Sequence, residues 1–157
     1  MPFTVFHLGP GIALKAAAPR RLSLAMFAGA QVLMDIEPGI GMLRGAATLH
    51  GYSHTLAGAL AIALLCLPFK RLAEWVFRVR ISWRQAAVGA LLGTFTHILL
   101  DALVHDDIRP FWPLSDANPL RGLLGWHETE LLCLLLALAA LRWAPHAWAR
   151  LRAMPWR

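Results

Sequence analysis

Apolar residues along this chain gather into long runs, and short polar stretches separate them. The runs predict five helical segments, at roughly 3–17, 22–34, 54–69 with an amphipathic extension through 70–79, 85 to about 104, and 128 to about 143. The polar segment 35–38 is predicted to end the second helix, and Pro145 the fifth. We expect residues 1–157 to form a single helical domain.

Two of these runs, 56–67 and 131–140, are apolar on every helical face. A small soluble domain cannot bury several such helices at once, although an all-helical soluble bundle stays open because most runs are shorter than the about 20 residues of a membrane span. The pattern favours an all-α integral membrane bundle of about four to five helices. Whether the first helix crosses the membrane is left open.

The composition supports the membrane interpretation. The chain is 58% hydrophobic and 15% charged, against about 45–50% and about 25% in ordinary globular proteins. A net charge of +6 would suit nucleic acid, but the basic residues flank apolar runs in short clusters, as in cytoplasmic loops of membrane proteins. We therefore expect membrane lipids, and no nucleic acid, as partners. Cys66 and Cys133 lie inside apolar runs and are expected to pack as small hydrophobic residues.

Histidines and acids alternate along the chain with basic clusters, so that each set can lie at its own side of a membrane. The histidine and acid set is His7, Asp35, Glu37, His50, His54, His97, Asp101, His105, Asp106, Asp107, Asp116, His127, Glu128 and Glu130. The positive-inside rule then puts the basic loops in the cytoplasm and the loops 35–53 and 105–127 on the opposite, periplasmic or extracellular side of the membrane. The sequence thus predicts a multi-pass protein with a polar face, suited to a metal site, at the extracytoplasmic edge.

His97 and Asp101 are the first candidates for chemistry. A spacing of four residues puts both on one helical face, with His105 another turn along. The pair could bind a divalent cation together, or the carboxylate could orient the imidazole. The structural alternative is an Asp–His hydrogen bond between helices. Ionisable groups inside a membrane helix are costly, which favours a functional role.

Two further pieces lie on the same predicted side. His50 and His54 are also four apart; they share a face if the helix begins before residue 50, whereas His50 reaches in from the loop if Ser53 is the N-cap. Asp35 and Glu37 follow the second helix, where the macrodipole disfavours negative charge and a cation would compensate. Alternatively, both acids are solvated and pair with Arg44.

The remaining candidates are weaker. His7 is a potential ligand near the start of the first helix. His127 and Glu128 could complete a second metal or bind substrate, or the acids at 128 and 130 could merely favour a helix N-terminus. His105, Asp106 and Glu37 are expected to contact substrate or support the ligands. Arg109 and Arg121 are the cations placed to hold a phosphate.

Histidine and carboxylate ligands without cysteine suit Zn²⁺ best, with Mn²⁺ or Fe²⁺ as alternatives. The sequence has no Gly-x-Ser-x-Gly elbow, Walker loop or dinucleotide fingerprint. Metal-bound water is therefore the expected nucleophile, with Asp35 and Asp101 as the catalytic carboxylates, serving as ligand or base. Several carboxylates also allow two or more metals, bridged by Asp35 or Asp101.

Five motifs follow one another along the chain: His7-x-x-x-Gly11, Leu33-Met-Asp35-Ile-Glu37-Pro38, His50-Gly-Tyr-Ser-His54-Thr55, Gly93-x-x-x-His97-x-x-x-Asp101 and Pro110-Phe-Trp-Pro113-Leu. In their order and spacing they resemble the YdjM-type family of bacterial membrane-bound, metal-dependent hydrolases. The resemblance implies an inner-membrane helical bundle and a divalent-metal site. The ligands that it implies are His7, Asp35, His50, His54, His97 and Asp101. The motif order is also distantly similar to that of zinc-dependent phospholipase C.

Two classes of function follow. The first is a metal-dependent hydrolase in which activated water attacks a small-molecule or lipid phosphoester at the extracytoplasmic membrane edge. The second is a non-catalytic membrane protein, either an ion transporter or a structural partner, with a bis-histidine haem between His54 and His97 as a smaller variant.

Overall fold

The computed structural model describes residues 5–153, and side chains as far as residue 144. The seven α-helices in this part of the chain are α1 (Leu8–Ala17), α2 (Leu24–Met34), α3 (Ile36–Leu43), α4 (Leu56–Cys66), α5 (Lys70–Phe77), α6 (Trp83–Val104) and α7 (Trp126–Ala153). One-turn 3₁₀ helices lie at Tyr52–His54 and Leu67–Phe69. No strand occurs in residues 5–153, so the predicted all-α class is confirmed.

Hydroxyl side chains fix the starts of three helices. Ser23 accepts from the Met26 N–H at α2, and Ser82 forms a reciprocal capping box with Gln85 at α6. At α4 the cap is Thr55, which accepts from the Gly58 N–H. Because the cap lies at 55 and not at Ser53, His54 sits on the turn just before the helix. His50 therefore reaches in from the loop, as one of the two alternatives predicted.

Two expected helix ends are wrong. Asp35 keeps right-handed helical torsions, and α3 begins directly after it. Pro38 falls in the first turn of α3, where its missing N–H has no intrahelical partner to lose. Pro145 does not stop α7, which continues to Ala153, because a proline removes one backbone hydrogen bond and can bend a helix without ending it. The first helix begins at Leu8; residues 3 and 4 of the predicted segment lie outside the described residues.

Small side chains let α2, α4 and α6 pack closely. Their shared core consists of Met26, Ala30, Ala63, Cys66, Ile81, Ala86 and Ala90. On α6, a Cβ added to Gly93 would lie 2.5 Å from the Phe27 carbonyl oxygen, and one added to Gly89 would lie 2.5 Å from that of Ser23. Glycines four apart thus bring two backbones together, as in membrane helix pairs. Helix α1 pairs with α7 and leans on α2.

Two stretches among the described residues are long and apolar enough to cross a membrane. They are Leu56–Phe77, formed by α4, the 3₁₀ turn and α5, and Trp83–Val104, each with a mean hydropathy of 1.7. The first is only 17% buried within the protein and exposes Leu60, Leu64, Leu65 and Phe69. Apolar surface of this extent is typical of contact with lipid or a partner. The other helices predicted from the sequence are shorter or less apolar.

The connections sort the polar residues to opposite ends of the bundle. Asp35 follows α2, His54 precedes α4, and His105 follows α6. At the other end, the Arg20 carbonyl accepts from Gln85 Nε2, next to the start of α6. Asp35, His54 and His105 therefore lie at the same end of the bundle, opposite this basic end.

Candidate metal centre

Helix α6 carries the centre on the ridge that packs against α2. Gly89, Gly93, His97 and Asp101 follow one another at intervals of four residues, so the glycine contact continues directly into the polar pair. His97 is 1% exposed and Asp101 is 4% exposed. The close approach of α2 and α6 sets both side chains against Asp35 at the end of α2.

Four side chains converge there, and we call Asp35, His54, His97 and Asp101 the central group. His97 Nε2 lies 3.2 Å from Asp35 Oδ1 and 3.1 Å from Asp101 Oδ2. His54 Nε2 lies 3.3 Å from the same Asp101 Oδ2. One ligand atom from each of the four lies within 4.8 Å of all the others.

The histidine nitrogens and carboxylate oxygens of the central group lie within 3.1–3.3 Å of each other but do not form hydrogen bonds. His54 Nε2 and both ring nitrogens of His97 are buried and have no hydrogen-bond partner among the described residues. The nitrogens therefore lie near the carboxylate oxygens but are not aligned with them, as expected for donors directed at a shared point. Two imidazoles and two carboxylates match the ligand types and number of a four-coordinate Zn²⁺ site. The residues present fit a divalent cation.

Neighbouring groups orient His54. Its Nδ1 lies 2.8 Å from Ser53 Oγ, which leaves Nε2 facing the central group. Glu37 accepts from the N–H groups of Ser53 at 2.7 Å and Tyr52 at 3.2 Å, and a Cβ at Gly51 would collide with its carboxylate. Burial alone would raise the pKa of Glu37, but the Ser53 and Tyr52 donors outweigh it and lower that pKa. Glu37 thus fixes the turn that carries His54.

A second set of imidazoles faces the other oxygen of Asp101. His7 Nε2 lies 3.0 Å from Asp101 Oδ1, and His105 Nε2 lies 4.0 Å from it. His50, His105 and Asp101 also offer ligand atoms within 4.8 Å of one another. We call His50, His105 and Asp101 the outer group.

The protein positions the ring of His50 through Asp107. Asp107 Oδ1 lies 2.7 Å from His50 Nδ1, and Oδ2 accepts from the N–H groups of Leu49 and His50. Partial burial would raise the pKa of Asp107, but these His50 and Leu49 contacts outweigh it and lower the pKa to about 2. Gln31 Nε2 similarly donates to the His7 carbonyl at 3.0 Å, which ties α1 to α2.

Other predicted residues lie away from this cluster. Asp106 pairs with Arg121 at 2.6 Å and Arg109 with Asp116 at 3.1 Å, both on exposed side chains. The two arginines are therefore already bound by carboxylates. The His127 side chain is 97% exposed, and Glu128 is exposed in the first turn of α7, so neither joins the central or outer group.

Several residues that the sequence analysis did not assign to the site lie against the cluster. Asp107 and Ser53 orient histidines, and Gln31 holds the His7 backbone. Glu130, rather than Glu128, lines a cavity of about 10 Å³ beside His7 and Asp101. Ser53 was signalled by its place next to His54. The choice between Asp106 and Asp107 depends on the turn after α6, which carries no local sequence signal.

The fold and this site define a class: a helical membrane protein with a buried histidine and aspartate cluster at one end of the bundle. Within that class, the chain belongs to the YdjM inner membrane protein family, whose model matches residues 3–155. The resemblance predicted from the motifs is thereby confirmed. Searches of curated proteins and of solved structures gave no match.

Proposed function

We propose that this protein is a membrane-bound, metal-dependent hydrolase. The proposal depends on one observation: two buried imidazole nitrogens, His54 Nε2 and His97 Nε2, have no hydrogen-bond partner. Both nitrogens lie close to carboxylate oxygens of Asp35 and Asp101. A buried polar atom without a partner costs about 1–3 kcal/mol. A bound cation would offset that cost, which is a reason for a protein to keep such a cluster.

The donor set favours Zn²⁺, and Mn²⁺ or Fe²⁺ would accept the same residues. A divalent cation held there supplies Lewis acidity and makes water a nucleophile at neutral pH. Asp101 is proposed as a ligand because its oxygens lie among imidazoles and it is 4% exposed. Asp35 has a 30% exposed side chain, so it can also take a proton from incoming water. His97 lies between the two carboxylates and fixes their separation.

A lipid-like phosphoester is the proposed substrate. An apolar groove of about 680 Å³ runs beside α4 and is lined by Leu33, Ile40, Ile62, Leu65 and Phe69. Its polar end is formed by Glu37, Tyr52 and Ser53, next to His54. This arrangement supports a substrate with an apolar tail along the span and a polar group near the cluster. Arg109 and Arg121 would have to leave Asp116 and Asp106 before they could hold a phosphate.

The orientation in the membrane is part of the proposal. Basic clusters flank the end of the bundle opposite the candidate centre, and such clusters face the cytoplasm in inner-membrane proteins. We therefore place the centre at the extracytoplasmic edge.

Two of the alternatives, an ion path through the core and a bis-histidine haem, are disfavoured by the packing around the centre. Beneath the centre, the core shared by α2, α4 and α6 is apolar and closely packed, which leaves this core without the polar lining of an ion path. The rings of His54 and His97 have centroids 5.2 Å apart, tilted by 59°. A porphyrin does not fit between rings at that separation.

The test uses detergent-purified protein, elemental analysis and hydrolysis of two probes, a short-chain phospholipid and bis(p-nitrophenyl) phosphate. We expect divalent metal in the wild type and hydrolysis of at least one probe, with both lost in His97→Ala/Asp101→Ala. The size-matched His97→Gln/Asp101→Asn variant guards against misfolding, and His127→Ala is the control. Full metal content in either folded double variant would reject the site. A metal-loaded wild type that hydrolyses neither probe would reject the activity.

A further inference from the structure

We propose that Asp101 bridges two cations, one in the central group and a second bound by the outer group of His50, His105 and Asp101. This inference rests on the proposed metal centre and deepens it. Two-metal centres that share a carboxylate are a common arrangement for phosphoester hydrolysis.

The two oxygens of Asp101 face different imidazoles. Oδ2 is 3.1 Å from His97 Nε2 and 3.3 Å from His54 Nε2, whereas Oδ1 is 3.0 Å from His7 Nε2 and 4.0 Å from His105 Nε2. A cation on the Oδ2 side could bind His54 and His97. His7, His50 and His105 would then have no metal to bind, although the protein largely encloses all three.

The imidazoles of His50 and His105 lie against each other without a hydrogen bond between them. The ring centroids of His50 and His105 lie 4.2 Å apart. His50 is 5% exposed, and its Nδ1 is held 2.7 Å from Asp107 Oδ1, which leaves Nε2 for a ligand. A carboxylate behind the imidazole is the usual support of a metal-bound histidine.

His7 gives a second, independent indication. It is 5% exposed, and neither of its ring nitrogens has a hydrogen-bond partner among the described residues. Its Nε2 is nevertheless 3.0 Å from Asp101 Oδ1, on the side of the outer group. His7 is therefore placed to act as a further ligand on that side.

Nearby carboxylates supply negative charge for a second cation. Asp35 and Asp101 belong to the central group, Asp107 contacts His50, and Glu130 lines the cavity beside His7. Two divalent cations would thus meet several acidic side chains. The cations of the adjacent loop, Arg109 and Arg121, are paired with exposed acids instead.

The test counts metal ions per chain in detergent-purified full-length protein loaded with Zn²⁺, and records the electron paramagnetic resonance spectrum after loading with Mn²⁺. We expect two ions in the wild type and an exchange-coupled Mn²⁺ pair. His105→Ala and the more conservative His105→Gln should each hold one ion and give an uncoupled Mn²⁺ signal. His127→Ala, which changes an exposed histidine, should keep two ions.

Each outcome decides the inference. A wild type with one ion, or a His105 variant that keeps two, overturns the second position. Loss of both ions from a folded His105→Gln protein overturns it too, because the central group should then bind independently. A protein that binds two ions but hydrolyses neither probe supports this inference and contradicts the proposed function. A protein that binds one ion and hydrolyses a probe supports the proposed function and contradicts this inference.

Discussion

Both halves of α6 bury side chains against neighbouring helices, but the buried side chains differ in kind. In the first half, Ala86, Gly89, Ala90 and Gly93 pack directly against α2 and need no hydrogen bond beyond the helix. In the second half, His97 and Asp101 are as deeply buried, yet both ring nitrogens of His97 lack hydrogen-bond partners among the described residues. The first half is complete with protein atoms alone, whereas the second half holds buried nitrogens for which a metal ion is the proposed partner.

This difference separates two sources of stability in one helix. Close packing stabilises the folded state whether or not a metal ion is present. A cation that binds only the folded state adds stability that depends on its concentration, about 2.7 kcal/mol at one hundred times its dissociation constant. Mutations in the two halves should therefore respond differently to added metal.

Asp101→Asn should produce the largest change, because Asp101 contacts both the central and the outer histidines. We expect metal affinity to fall by more than about 100-fold, beyond the about 10–100-fold typical of supporting residues. The variant should also lose the rise in apparent melting temperature that Zn²⁺ gives the wild type. Asp106→Asn, on an exposed side chain paired with Arg121, is the matched control. A normal Zn²⁺ response in Asp101→Asn would remove the distinction between the two halves.

Gly93→Ala should come next, since its Cβ would meet the Phe27 carbonyl oxygen at 2.5 Å and force α2 and α6 apart. We expect the free energy of unfolding to fall by about 1–3 kcal/mol, measured as a lower apparent melting temperature both with Zn²⁺ and with a chelator. Gly29→Ala on α2 is the control, because its Cβ would meet only Cys66 Sγ at 4.0 Å. If a chelator abolished the difference between Gly93→Ala and wild type, the packed half would not be independent of the metal.

Ser53→Ala should have the smallest effect of the three. It removes the hydroxyl 2.8 Å from His54 Nδ1 and leaves every proposed ligand in place. We expect metal affinity to fall by about 10-fold, as for other groups that orient a ligand, with little change in the melting temperature of the metal-free protein. Competition with a fluorescent chelator measures this, and Ser115→Ala in an exposed loop is the control. An unchanged affinity would show that the turn alone orients His54.

The spacing of apolar and polar residues predicts most of the helices and part of the candidate site. Apolar runs located the helices because apolar surface must be buried or face lipid, and the spacing of four between His97 and Asp101 put them on one face. The start of α4 does not follow from periodicity, since Ser53 and Thr55 are both good N-caps and only the folded chain selects Thr55.

The conformation of the loops between helices could not be predicted from local sequence. Asp106 and Asp107 are adjacent and chemically identical, yet one pairs with Arg121 at the surface and the other holds His50. The same applies to the start of α7, where His127 points to solvent while Trp126 packs on His105. These choices depend on contacts between residues far apart in the sequence.

The partial exposure of Asp35 bears on how fast a cation could come and go. The other members of the central group have side chains that are 0–6% exposed, whereas that of Asp35 is 30% exposed. Entry and escape would then pass by one carboxylate at the junction of α2 and α3. The lifetime of a bound cation would then depend on the motion of that junction. A chelator in solution would remove the metal slowly, even a chelator that binds the metal more tightly than the protein does.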